Sequence, residues 1–196
     1  MLKQSKRPML NYPHLLAADT SLLLIIDQQS KLSATMPEAE AKAMTDNTVK
    51  LCTAADMLNI PVLLTEQYPK GLGATDPNIS TALPAATQTF TKTSFSCCAA
   101  AGFSTALQEQ QRHQLILVGQ EAHVCILQTA LELLHLGYQI TVVDDAVCSR
   151  KISHKTYALQ RMQQQGVIIS NYESVLFEWL RDATHPAFKR ISSLLR

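Results

Sequence analysis

Five short apolar runs recur along the chain, and they restrict its fold more than any other feature. They fall at residues 22–26 (LLLII, closed by Asp27), 61–64, 115–118, 140–143 and 167–169. Runs this short, with no polar residue at alternate positions, suit strands buried on both faces, as in a parallel sheet. Helical spacing fills the gaps at 38–58, 102–111, 125–136 and 153–165, the last closed by Gly166. Strands that alternate with helices need right-handed crossovers. The pattern therefore predicts an α/β protein: a three-layer, Rossmann-like, doubly wound parallel sheet flanked by helices. A run at 88–91 (QTFT) would bring the sheet to about six strands. Segment 66–84 carries Pro69, Gly71, Gly73, Pro77 and Pro84 and reads as a long ordered loop covering a site. The tail reads as two helices, one on Val175, Leu176, Trp179 and Leu180, the next started by Pro186 ahead of Phe188, Ile191 and Leu195. No linker interrupts the pattern, so residues 1–196 are expected to form a single domain.

Composition removes several function classes. Seventeen basic and sixteen acidic residues give a net charge of +1, which leaves no phosphate-neutralising stripe, so no nucleic-acid partner is expected. No stretch is long enough to span a bilayer, and no membrane role is expected. The five cysteines, Cys52, Cys97, Cys98, Cys125 and Cys148, are odd in number and lack C-x-x-C spacing, which suits a reducing, cytoplasmic setting. Lys3, Lys6 and Arg7 precede the first acid, Asp19, without the apolar face of a transit peptide. No G-x-G-x-x-G follows the first strand and no P-loop occurs, which disfavours a dinucleotide or nucleotide binder. A small-molecule substrate fits better.

In a parallel sheet, ligands bind beyond the carboxyl ends of the strands. Asp27, Lys92 and Cys125 all fall at such ends. Taken singly, each has an ordinary explanation: a turn aspartate, a solvated lysine, a buried cysteine. Taken together, they offer a carboxylate that can accept a thiol proton, an ammonium that stabilises charge, and a sulfur that can attack a carbonyl. Cys125 lies in LILVGQEAHVCILQTALELLHLGY, at the predicted start of a helix, where the macrodipole would stabilise its thiolate. Gln29, Tyr68, Leu72, Phe95 and His123 lie near the same strand ends and are candidate pocket residues. Cys97 and Cys98 read as structural, and Asp144 and Asp145 as turn residues.

The segments LLLIIDQQ, FTKTSFS, VGQEAHVCILQTALELL and VVDDAVCSR resemble the isochorismatase-like cysteine hydrolase superfamily, which includes nicotinamidases and N-carbamoylsarcosine amidohydrolases. VLLTEQYPKGLGATDP is most similar to the isochorismatase domain-containing subgroup. The resemblance implies Asp27 as general base, Lys92 as its cationic partner and Cys125 as nucleophile. It also implies a cis peptide at Gln120–Glu121, directing the backbone N–H groups of Glu121 and Cys125 into an oxyanion hole. Gln120 departs from the small aliphatic residue common at that position. The metal-binding members use histidines after the second strand, and this chain has none between His14 and His113. The implied activity is therefore metal-independent and cofactor-free cleavage of an amide-like C–N bond through a thioester, in a homo-oligomer. The alternative is a binding or scaffold protein that keeps the fold without turnover.

Overall fold

The computed structural model describes residues 15–195; Lys3, Lys6 and Arg7 lie outside the described residues. Six strands run parallel: β1 (Ser21–Ile26), β2 (Val62–Gln67), β3 (Gln88–Lys92), β4 (Gln114–Gln120), β5 (Gln139–Cys148) and β6 (Ile168–Ser170). Their spatial order is β3-β2-β1-β4-β5-β6. The chain thus winds outward one way from β1, then returns and winds the other way from β4. A crevice opens at that reversal. Asp27 leaves one side of it and the turn carrying Cys125 leaves the other.

β1 is buried at every position, and its pleat divides the core in two. Leu22, Leu24 and Ile26 join Phe103 and Leu107 of α5 (Phe103–Glu109), Ala130 and Leu133 of α6 (Leu127–His135), and Met162 of α7 (Ile152–Gln164). Leu23 and Ile25 face the opposite way, against Leu51 and Ala55 of α2 (Glu38–Met57) and Leu176 and Trp179 of α8 (Tyr172–Leu180). Alternate side chains of one strand therefore hold both helical layers. The buried Trp179 indole donates to Ser21 Oγ at 3.0 Å, which satisfies its only polar atom.

The elements differ from expectation in three places. Segment 66–84 is not a loop throughout: it holds the end of β2, α3 (Pro69–Leu72) and α4 (Pro77–Ala82). Pro69 and Pro77 open those helices, where a missing N–H costs nothing and φ is already helical. β5 continues to Cys148 past the pair Asp144 and Asp145, because Asp144 pairs with Lys155 at 3.2 Å and Asp145 accepts the Tyr172 N–H at 2.9 Å. The last helix, α9 (Phe188–Ser192), begins after Pro186 rather than on it.

Gly119 lets β1 and β4 stay paired up to the edge of the crevice. It has φ +122° and pairs with Ile26, and a Cβ there would stand 2.0 Å from the Ile26 carbonyl oxygen. β4 also shifts register against β5 between Leu117 and Gly119. A side chain at this position must push β1 from β4 or break the ladder. Gly119→Ala is expected to cost at least about 3 kcal/mol of stability in urea unfolding. A midpoint unchanged from that of the unmodified protein would refute the argument.

Candidate active site

Asp27 is the first residue past β1. It turns the chain at φ +53°, a left-handed conformation that aspartate tolerates better than most residues. Its N–H continues the ladder to the Thr65 carbonyl at 3.0 Å. Its carboxylate is held at both oxygens: Thr65 Oγ1 donates to Oδ1 at 2.8 Å and Lys92 Nζ to Oδ2 at 2.6 Å. The side chains of Asp27 and Lys92 are both 0% exposed. Lys92 reaches the carboxylate from the edge strand β3, across β2, where it stands opposite Gln67. Its ammonium also donates to Gln67 Oε1 at 2.7 Å and to the Ser94 and Phe95 carbonyls at 3.2 and 3.1 Å. A buried ammonium with this many acceptors is fully satisfied.

Cys125 approaches the pair from the other side of the crevice. It lies in a π-helical turn, Ala122–Ile126, one turn ahead of α6, not at the start of the α-helix itself. The Glu121 carbonyl accepts the N–H groups of Val124 and Ile126 at 3.0 and 3.3 Å, so the two bonds bracket Cys125. The Gln120–Glu121 peptide is cis. Burial pushes the Cys125 thiol well above the ordinary thiol range, and the Asp27 charge pushes it further. The Lys92 ammonium opposes them, while a hydrogen bond to the Asp27 carboxylate and the nearby Cys97 add to the rise. Desolvation and the facing carboxylate thus act against the thiolate that a helix terminus would favour.

Cys97 is fully buried beside the same group, 3.6 Å from Thr65 Oγ1, and its thiol is pushed up to about 12, chiefly by burial. Its N–H donates to Thr129 Oγ1 of α6 at 3.0 Å.

The candidate pocket residues take different places. Gln29 is buried and its amide is consumed: Nε2 donates to the Gln67 and Gly73 carbonyls at 3.0 and 2.5 Å, and Oε1 accepts the Gln67 N–H at 2.8 Å. These bonds pin segment 66–84 to the stretch just past β1. Glu66 assists by accepting the Thr75 N–H and hydroxyl at 2.7 and 2.8 Å. Tyr68 and Phe95 are 52% and 53% exposed. Tyr68 lines an open cavity of about 430 Å³ with Lys70, Ser94 and the Ala99–Ala101 stretch, which touches Lys92. Leu72 is half-buried at the end of α3. The Cys125 residue lies deeper, 5% exposed.

His123 turns toward α7, with Nδ1 3.0 Å from Ser149 Oγ and its ring 4.6 Å from that of His154. Burial lowers its pKa against the pull of Glu121, with His154 and Arg150 lowering it further. Glu121 receives Arg150 through Nε at 3.1 and 3.0 Å and through Nη2 at 2.6 Å, and takes the Arg150 N–H at 2.9 Å. Burial works to raise this carboxyl, but the Arg150 bonds and charge outweigh it and hold it below the usual range. Among the described residues, no group of three or more His, Cys, Asp or Glu side chains is arranged to hold a metal ion. Thr65, Gln67 and Gln120 lie in the segments that carry the family resemblance, but their side-chain partners appear only when the strands are paired.

Two measurements test this geometry without a substrate. Lys92→Met leaves the Asp27 carboxylate buried beside an alkyl chain, and is expected to cost about 3–5 kcal/mol in urea unfolding. Adding Asp27→Asn to that variant should recover part of the loss, and a double variant no more stable than Lys92→Met would break the pairing argument. The raised Cys125 thiol gives a definite sign with pH. Thiolate should be scarce at neutrality, and Cys125 carboxamidomethylation should keep rising above about pH 9, where an ordinary thiol levels off. A plateau near pH 8 would show that the thiol is not held neutral.

Residues 21–174 match the isochorismatase domain. Isochorismatase domain-containing protein 2 of Danio rerio is 39% identical over 180 residues, covering 92% of this chain and 89% of the relative. A Caenorhabditis elegans structure titled MAR1 ribonuclease is 35% identical, with a TM-score of 0.87 and 92% of each chain covered. The Escherichia coli YcaC gene product, titled an octameric hydrolase of unknown specificity, shares the fold with a TM-score of 0.86 at 23% identity over 93% of this chain and 89% of that one. The match opens with β1 and closes inside α8, so that Asp27, Lys92 and Cys125 all lie within it: the chain belongs to the isochorismatase family.

Proposed function

We propose that this chain is a metal-independent hydrolase that cleaves an amide-like C–N bond of a small molecule through a thioester on Cys125. The single observation that carries this reading is a thiol facing a carboxylate that is itself paired, out of solvent, with an ammonium. Burying such a pair has a desolvation cost that well-packed apolar side chains would avoid, and folding alone gives little reason to keep it.

The chemistry follows from the neutral thiol. Asp27 accepts the Cys125 proton as sulfur attacks the carbonyl carbon, and the backbone N–H groups of Glu121 and Cys125 receive the resulting oxyanion. The C–N bond breaks as the proton passes from Asp27 to the leaving nitrogen. Water then gives a proton to Asp27 and attacks the thioester carbonyl; the C–S bond breaks and the proton returns to sulfur. Lys92 offsets the charge on Asp27 whenever the carboxylate is ionised. Tyr68, Leu72 and Phe95 flank the approach, while His123, engaged with Ser149, serves the turn that carries Cys125.

The E. coli protein's octamer and the exposed apolar side chains Leu136, Ile152 and Phe177 support a homo-oligomer. The ribonuclease name belongs to the C. elegans protein; here the near-zero net charge supports a small, weakly charged substrate.

Cys125→Ala is expected to fold with an unchanged melting temperature and to lose turnover of primary amides and ureides by at least about 10³-fold. Intact-mass measurement during turnover should show an acyl adduct on Cys125 in the unmodified protein and none in the variant. Retained turnover in Cys125→Ala would overturn the mechanism. A partner protein captured equally by both forms, with no turnover of any amide, would favour the scaffold reading instead.

A further inference from the structure

We infer that Gln120 is a positioning residue for Asp27: its buried side-chain amide fixes the peptide of Asp27, and through it the direction in which the carboxylate meets Cys125. Gln120 ends β4 and is 0% exposed. Its Nε2 donates to the Asp27 carbonyl at 3.0 Å and to Ser33 Oγ at 2.9 Å, and its Oε1 lies 3.5 Å from Cys148 Sγ. One side chain therefore joins the end of β1, the short helix α1 (Ser30–Ser33) and the end of β5.

Asp27 needs such a tether. The β1–β4 register ends at Ile26 opposite Gly119, so the ladder to β4 does not extend to Asp27. Its carbonyl takes two donors instead, the Gln29 N–H at 2.9 Å and the Gln120 amide. The carboxylate is held by Thr65 and Lys92 from the β2 and β3 side. The carbonyl is held by Gln120 from the β4 side. Asp27 is thus clamped across the crevice in its left-handed conformation. An apolar residue of equal size would fill the space but leave the Asp27 carbonyl with the Gln29 N–H and without its tether to β4.

The consequence for turnover rests on the hydrolase reading, but the tether itself can be read from the thiol. The groups that act on Cys125 are Asp27 beyond β1, Lys92 on β3 and Cys97 in the turn before α5. Of these, Asp27 is the one Gln120 touches. The test is the rate of Cys125 carboxamidomethylation by iodoacetamide from about pH 7 to 11. It is followed by peptide mass spectrometry in the full chain and in Asp27→Asn, Gln120→Leu and Ser33→Ala, with melting temperatures alongside.

Asp27→Asn removes the charge that raises the thiol, so its profile should move to lower pH and set the scale. Gln120→Leu should move the same way by about half a pH unit or more, and Ser33→Ala, which frees only the outer end of the amide, by less. Folded Gln120→Leu with the unmodified protein's profile, whatever its melting temperature, would overturn the inference. Should Gln120→Leu fail to fold, an unmoved Ser33→Ala profile would overturn it and a shifted one would support it. Failure of Asp27→Asn to move the profile would instead refute the Asp27–Cys125 coupling on which the hydrolase reading stands. Once a turned-over amide is in hand, Gln120→Leu is expected to lower kcat about tenfold with KM within about twofold.

Discussion

The Lys92–Asp27 pair is the constraint from which the rest of the site takes its shape. Two charges held fully out of solvent repay their desolvation only when their geometry is close and their remaining valences are filled. Both conditions depend on strand register. Lys92 stands opposite Gln67, and the Asp27 N–H binds the Thr65 carbonyl, so the ammonium crosses one strand to arrive at 2.6 Å. Phe90, two residues earlier on the same face of β3, packs edge-on against Phe103 at 5.6 Å. A slip of one residue would send Phe90 and Lys92 to the opposite face together. The aromatic contact that anchors the edge strand therefore also keeps the ammonium in place.

Burial comes first in raising the thiol, and the pair acts on it in both directions, Asp27 raising and Lys92 lowering. A cysteine near a helix N-terminus usually gains thiolate character, but α6 begins only at Leu127 and Cys125 sits in the π-helical turn before it. Burial and the facing carboxylate dominate at that position. A thiol held toward its neutral form is a poorer target for adventitious oxidants, which react with thiolate.

The apolar runs made the sheet legible, because strands buried on both faces leave a continuous hydrophobic signature. The three strand-end residues were legible for a topological reason: in a doubly wound sheet, such ends converge on the crevice. The boundaries that went unseen are those where polar residues find partners only in three dimensions. Asp144 and Asp145 read as a turn until Lys155 and the Tyr172 N–H take them up. Pro69 and Gly71 read as a loop, yet Pro69 opens a short helix, and Gly71 admits the Tyr68 ring so closely that a Cβ would lie 2.5 Å from it. Gln29, suggested by its position as a pocket residue, spends its amide on the Gln67 and Gly73 backbone, a use visible only once the chain is folded.

The crevice is bordered by glutamines for a reason that belongs to parallel sheets. Where β1 and β4 part company, the backbone groups beyond the last paired residues lose their ladder partners, yet they remain inside the protein, and a buried carbonyl or N–H without a partner is costly. Water could fill that role in an open cleft but would also solvate the ion pair and weaken it. Side-chain amides solve both problems. Gln29 satisfies the Gln67 and Gly73 carbonyls and the Gln67 N–H, Gln67 holds Lys92 through Oε1 while donating to the Thr93 carbonyl at 2.8 Å, and Gln120 satisfies the Asp27 carbonyl. Each carries a donor and an acceptor on a neutral group, so it can complete the broken ladder without adding a charge that would compete with Lys92 for Asp27. An apolar wall would strand the backbone, and a charged one would disturb the pair; the amides do neither.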